Sequence, residues 1–116
     1  MQFGGCRTIV YYVREPVEAA RWFEQELGAR LLYADDDWVA LRLFDGGPRI
    51  GLHRSDEPGG VTAFYQVADI ETTLRQLTAA GCTVEHPLTD LEEVRIASVR
   101  TPAGIVLGLE EPKAQG

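Results

Sequence analysis

The side chains best suited to proton transfer near neutral pH are the two histidines, His53 and His86. No Ser-His-Asp or Cys-His set falls at a useful order or spacing, so each reads first as a partly exposed histidine near a strand end. Cys6 and Cys82 stand far apart, with no CxxC partner and no nearby histidine, and are expected to be free, partly buried thiols. Asp35-Asp36-Asp37 cannot converge on one ion, because consecutive residues of an extended segment point to opposite faces; the run reads as a solvated turn. Spaced ligands of the calcium-loop type are missing. Glu92-Glu93 reads likewise as an exposed loop pair, and Gly46-Gly47 and Gly59-Gly60 lack the following helix that a phosphate cradle needs.

An aromatic constellation remains. Strand alternation turns Thr8, Val10 and Tyr12 to one side, and with them Trp38, Ala40 and Arg42; Arg49, Gly51 and His53; and Thr62, Phe64 and Gln66. Trp38 and Phe64 have the flat, stiff faces that stack on a planar ligand, with core or interface packing as the alternative of equal weight. Arg42, Arg49, Gln66 and His53 are the candidate polar anchors. Such a mixture is the chemistry of a small-molecule pocket. Trp22 is assigned instead to helix packing or an interface, since it and Phe23 cannot both point inward.

The elements that must position these residues occur as one pattern, twice. Arg7–Val13 has the β-branched and aromatic make-up of a strand. A helix opens at Glu15-Pro16, carries Val17, Ala20, Phe23, Glu24 and Leu27 at helical spacing, and stops at Gly28. Strands follow at Ala29–Tyr33, Asp37–Phe44 and Arg49–His53. The second copy has a strand at Val61–Val67, a helix capped by Asp69 with Ile70, Leu74, Leu77 and Thr78 in its stripe, and a stop at Gly81. Its later strands are Cys82–His86, Val94–Arg100 and Ile105–Glu110. Val13, Phe23 and Gly28 fall opposite Val67, Leu77 and Gly81 at a period of about 54 residues. One βαβββ module cannot bury its sheet alone. The reading is therefore an α+β fold, with two tandem βαβββ modules forming a cupped mixed sheet and the helices on its outer face. The modules are placed at 1–56 and 61–112, with a linker at 57–60 and a tail at 113–116, in one structural domain.

Composition bounds the partners. The 116 residues include 11 basic and 18 acidic side chains, for a net charge of −7, of which −2 lies up to Asp56 and −5 beyond it. Both halves repel phosphate backbones, so no nucleic acid is expected as partner. No apolar run approaches the roughly 18 residues that span a bilayer, and Met1–Arg7 has neither the basic start nor the apolar stretch of a secretory signal. No membrane association and a cytoplasmic location are the expectations.

The openings VREPVEAARWFEQELGA at Val13–Ala29 and VADIETTLRQLTAAG at Val67–Gly81, with the closing TPAGIVLGLEEP at Thr101–Pro112, resemble the vicinal oxygen chelate superfamily of glyoxalases, bleomycin-resistance proteins and extradiol dioxygenases. The resemblance runs from about Arg7 to Pro112. It implies that metal-dependent members place one ligand on the first and one on the last strand of each module. Those positions fall here on Thr8, Thr62, Gly51 and Gly108, none of them a usual ligand. Alternation supports this register, since Ile50, Leu52, Leu107 and Leu109 need the helix-facing side. The expectation is a metal-free small-molecule binding protein without cofactor and, as the resemblance to bleomycin-resistance proteins implies, a homodimer for which antibiotic sequestration is one role. A glyoxalase- or dioxygenase-like lyase or isomerase, with a shifted metal site or with His53 or Glu110 as general base, is the alternative. A small interaction module that merely uses the fold to dimerise is the third reading.

Overall fold

A computed structural model describes residues 2–114; Met1 and the last two residues of the tail lie outside the described residues. Strand β1 (Cys6–Val13) is followed by helix α1 (Pro16–Leu27), β2 (Arg30–Ala34), β3 (Trp38–Arg42) and β4 (Arg49–Arg54). The pattern repeats as β5 (Val61–Gln66), α2 (Ile70–Ala79), β6 (Thr83–Asp90), β7 (Val94–Arg100) and β8 (Val106–Pro112). The chain divides into two compact units, Arg7–Thr62 and a second that runs from Ala63 onward and takes in the segment up to Cys6. That segment is tied to its unit by Gly4 N–H donating to the Gln66 carbonyl at 2.7 Å and Gln66 N–H to that of Gly5 at 3.0 Å.

In the first unit the strands lie in the order β2-β3-β4-β1, in the second β5-β8-β7-β6. The first and last strands of each repeat pair in parallel, β1 with β4 and β5 with β8, and the other pairs are antiparallel. A parallel neighbour needs a crossover, and in each unit the connection between the first strand and the rest carries the helix. The α+β architecture of repeated βαβββ units is thus present. The strand ends differ from expectation by at most two residues, as where β3 closes at Arg42 before Leu43 and Phe44, except that β6 continues past His86 to Asp90.

Each helix has the start and stop its sequence encodes. Pro16 opens α1 and Gly28 ends it in the left-handed region at φ 68°, with its N–H donating to the Phe23 carbonyl. The Asp69 carboxylate accepts from Thr72 N–H at 3.1 Å and caps α2. Each helix covers its own core, Ala20, Val39, Leu41, Ile50 and Leu52 in one unit, and Val67, Ile70, Leu77, Val99 and Leu109 in the other. The stripes are narrower than expected: Val17 and Leu27 are exposed and Pro16 and Ala20 buried on α1, while Thr73 rather than Thr78 is buried on α2. The Thr73 hydroxyl tolerates burial because it donates to the Asp69 carbonyl at 2.8 Å.

Candidate functional site

With one sheet face of each unit committed to its helix, the other carries the candidate residues. In the first unit Tyr12, His53 and Trp38 are cross-strand partners on β1, β4 and β3. Their rings touch in sequence, Tyr12 to His53 at 5.8 Å between centroids and Trp38 to His53 at 6.1 Å, the latter edge to face. The Tyr12 hydroxyl lies 3.3 Å from Thr62 Oγ1. His53 Nδ1 is 2.8 Å from the Arg54 carbonyl, which can only accept, so Nδ1 carries the proton and Nε2 is the nitrogen left to face a ligand.

Beside this row lies a shallow one of Val10, Gly51 and Ala40, all buried. The Trp38 ring leans across it: a Cβ on Gly51 would run into Trp38 Cη2, and would come within 2.7 Å of Cζ3. Glycine suits this position because the indole occupies the space of a side chain. The turn before β3 fixes the root of that indole. Asp35 Oδ1 accepts from the N–H groups of Asp37 at 2.9 Å and Trp38 at 2.8 Å, and Asp35 Oδ2 from the Tyr33 hydroxyl at 2.8 Å. The tyrosine hydroxyl first, then the two amides, hold the Asp35 carboxyl below its ordinary pKa. The acidic run is therefore the solvated turn expected, with Asp37 also accepting from Arg54 Nε at 2.9 Å. A third row holds Thr8, Arg49 and Arg42. Thr8 and Thr62 are each only 4% exposed, and Arg42 donates through Nη1 to the Gly47 carbonyl.

The second unit contains the remaining candidates, Phe64 and Gln66. Phe64, Gly108, Ser98 and His86 are successive partners across β5, β8, β7 and β6. A Cβ on Gly108 would meet Phe64 Cγ and Cδ1 at 2.5 Å, so an aromatic ring again takes the place of a side chain. His86 Nδ1 lies 3.0 Å from the Ser98 hydroxyl. The strand continues through His86, where the sequence reading ends it: β6 is an edge strand, where Pro87 withholds no needed donor, and the register shifts on both sides of His86 absorb the irregularity. The next row pairs an exposed Gln66 with Glu110, whose residue is 4% exposed. Ser98 went unnoticed in the sequence; its signal was a polar residue between the buried Ala97 and Val99 of a strand. Trp22, assigned to helix packing or an interface, is 55% exposed and stacks edge to face on Phe23 at 5.6 Å.

A divalent metal does not suit the four positions where the resemblance would put its ligands. Thr8 and Thr62 offer neutral hydroxyls, and the space at Gly51 and Gly108 is filled by rings. Among the described residues no three of His, Cys, Asp or Glu converge in a way that could hold an ion.

Repeated βαβββ units define a class of fold, and the chain belongs to it: residues 6–109 match the model of the Glyoxalase/Bleomycin resistance protein/Dioxygenase superfamily. Among solved structures it is similar to methylmalonyl-CoA epimerase of Streptomyces coelicolor in complex with 2-nitronate-propionyl-CoA, at TM-score 0.80 and 13% identity over 97% of this chain and 100% of that one. The Mycobacterium tuberculosis epimerase gives TM-score 0.78 and 17% identity over 95% and 89% of the two chains. A superfamily member from Vibrio splendidus 12B01 gives 0.71 and 22% over 92% and 99%. At such identities the likeness is one of fold. No curated protein sequence matches significantly. No helix among the described residues is long and apolar enough to cross a membrane.

Proposed function

We propose that this chain is a small-molecule binding protein of the glyoxalase and bleomycin-resistance type, which takes a planar ligand on its aromatic faces without a metal. The observation that supports this is made twice: the position matched to a metal-binding carboxylate is a glycine in each unit, and an aromatic ring covers it. A ring in that place offers stacking area and no ligand atom. In this reading Trp38 and Tyr12 supply contact area on the face of the first unit, with Thr8, Thr62, Arg42, Arg49 and His53 as polar anchors, Phe64 and Gln66 do the same on the face of the second, and an antibiotic with a planar chromophore is one suitable ligand. Two copies pairing as a homodimer and a cytoplasmic location belong to the same proposal.

Metal analysis of protein purified without chelator, followed by calorimetric titration with planar polycyclic compounds, tests the reading. No stoichiometric metal and no effect of chelator are expected. Phe64→Ala should weaken binding by about 1–3 kcal/mol if its ring stacks on the ligand. A stoichiometric divalent metal, or binding that chelator abolishes, would overturn it.

One observation favours an enzymatic second reading: Glu110 is a buried carboxylate sharing a sheet face with Gly108 and Phe64. Turnover that disappears in Glu110→Gln while ligand affinity is kept would establish it.

A further inference from the structure

The row that continues the aromatic face of the first unit is unusually basic. Arg49 on β4 is directly opposite Arg42 on β3, and Arg42 directly opposite Arg30 on β2, so three guanidinium side chains leave one sheet face side by side. Like charges directly opposite one another destabilise a sheet. The chain has ample means to relieve this, with 18 acidic against 11 basic residues, yet little of it is used here. Among the described residues Arg30 reaches only Asp45, at 3.8 Å and with the aspartate side chain 98% exposed. Arg42 has the Gly47 carbonyl, a neutral acceptor. Arg49 forms no ion pair among the described residues, although it is half-buried, where a lone charge is costlier than at the surface. The other end of the row is Thr8, buried beside Arg49.

We propose that the ligand is an organic oxyanion, whose planar body lies on Trp38 over Gly51 and whose carboxylate or phosphate is held by Arg49, with Arg42 and Arg30 supplying further positive potential. The inference rests on the aromatic-face reading above. Its geometry follows from the strands: Arg49 is two residues from Gly51 on the same face, roughly 7 Å away, and neighbouring strands are about 4.8 Å apart. A fused bicyclic ring spans the first distance, and an oxyanion spans the gap between adjacent guanidinium groups. The planar fork of arginine matches both kinds of anion with paired hydrogen bonds, and ligand binding replaces the repulsion within the row by attraction. The row thus selects against the cationic and neutral ligands that the acidic chain as a whole would admit.

Calorimetric titration of the full chain with 2-naphthoate, 2-naphthyl phosphate, neutral 2-naphthalenemethanol and inorganic phosphate tests this. The two naphthyl anions should bind at least about tenfold more tightly than the alcohol, the size of a charge-assisted hydrogen bond, and the tighter of them identifies the group. Added salt should narrow the gap. Arg49→Gln should bring the anions down to the affinity of the alcohol, while the melting temperature without ligand stays level or rises. Arg49→Met, which keeps the apolar stem, should do the same and serves if the glutamine variant fails to fold. Equal binding of alcohol and anions to the native chain, with both naphthyl classes bound, overturns the oxyanion inference and leaves the aromatic face standing. Anion preference that survives both substitutions overturns the role of Arg49, and inorganic phosphate binding as tightly as naphthyl phosphate overturns the composite site. Binding of no naphthyl compound overturns the aromatic-face reading and this inference together.

Discussion

Gly51 and Gly108 solve one packing problem in two ways. Both stand on the last strand of a repeat, on the face away from the helix, Gly51 between the buried Ile50 and Leu52 and Gly108 between the half-buried Leu107 and the buried Leu109. The ring over Gly51 comes diagonally from an antiparallel neighbour, since Trp38 pairs with His53 and only Ala40 pairs with Gly51. The ring over Gly108 comes from its direct partner on a parallel neighbour, Phe64. Trp38 presents the far edge of its indole, whereas Phe64 presents Cγ and Cδ1, and the Ala63 carbonyl stands 2.9 Å from the same point. The repeat therefore preserves the backbone and the need for a glycine, and leaves free which residue fills the space. Chemistry follows the filler: rings and arginines surround Gly51, while a His-Ser pair and a buried glutamate surround Gly108.

The largest test asks whether the units are equally dependent on their cores. Leu52 and Leu109 are both fully buried and occupy corresponding strands. Each Leu→Ala change should cost about 2–5 kcal/mol in urea denaturation. A difference beyond that range would show that one unit carries the stability of the other.

The glycines should then respond unequally. Gly108→Ala should lose about 1–3 kcal/mol, because the root of Phe64 and a backbone carbonyl cannot swing away. Gly51→Ala should lose less stability, since the indole can rotate off its glycine, but it should lose the planar ligand with the displaced ring. The reverse order of stabilities would break the comparison.

The smallest effect is acid sensitivity. The fold lowers the pKa of Asp35 in the first unit, mainly through the Tyr33 hydroxyl, and in the second those of Asp69, through the Thr72 amide, and Glu85, through Arg100. A carboxyl with a lowered folded pKa adds stability that is fully present above its unfolded value, here near 3.8 for the aspartates and 4.5 for the glutamate. That stability fades as pH falls through the still lower folded values. Melting temperatures compared between pH 6 and about pH 3 should therefore fall less steeply for Asp35→Asn and Asp69→Asn than for the native chain. Equal slopes would show that these contacts contribute nothing measurable, as is common for exposed polar pairs.

Much of this was legible in the chain itself. Alternation in β1, β3 and β4 assigned the helix-facing residues correctly: Ile9, Tyr11, Val13, Val39, Leu41, Ile50 and Leu52 pack toward α1, and their neighbours Val10, Tyr12, Gly51 and His53 face away. Period and punctuation also placed Pro16, Gly28 and Asp69 at helix ends, because caps are local hydrogen-bonding requirements that a few adjacent residues satisfy. The widths of the helical stripes were less legible, since burial of Val17 or Thr73 depends on what the strands place beneath each turn.

What the sequence determined by itself is set by short-range rules: two βαβββ repeats, the caps, the two faces of each strand, and a glycine at matched positions of β4 and β8. Register between strands is a long-range choice, and only the tertiary structure made it. That choice put Trp38 rather than Ala40 over Gly51, joined His86 to Ser98 through an irregular edge strand, and aligned Arg30, Arg42 and Arg49 in one row. Residues twelve and seven positions apart become neighbours only when hairpins close in a particular register, and the energy that selects it lies in the packed helix-facing side. The chemistry of the opposite face is inherited from that selection.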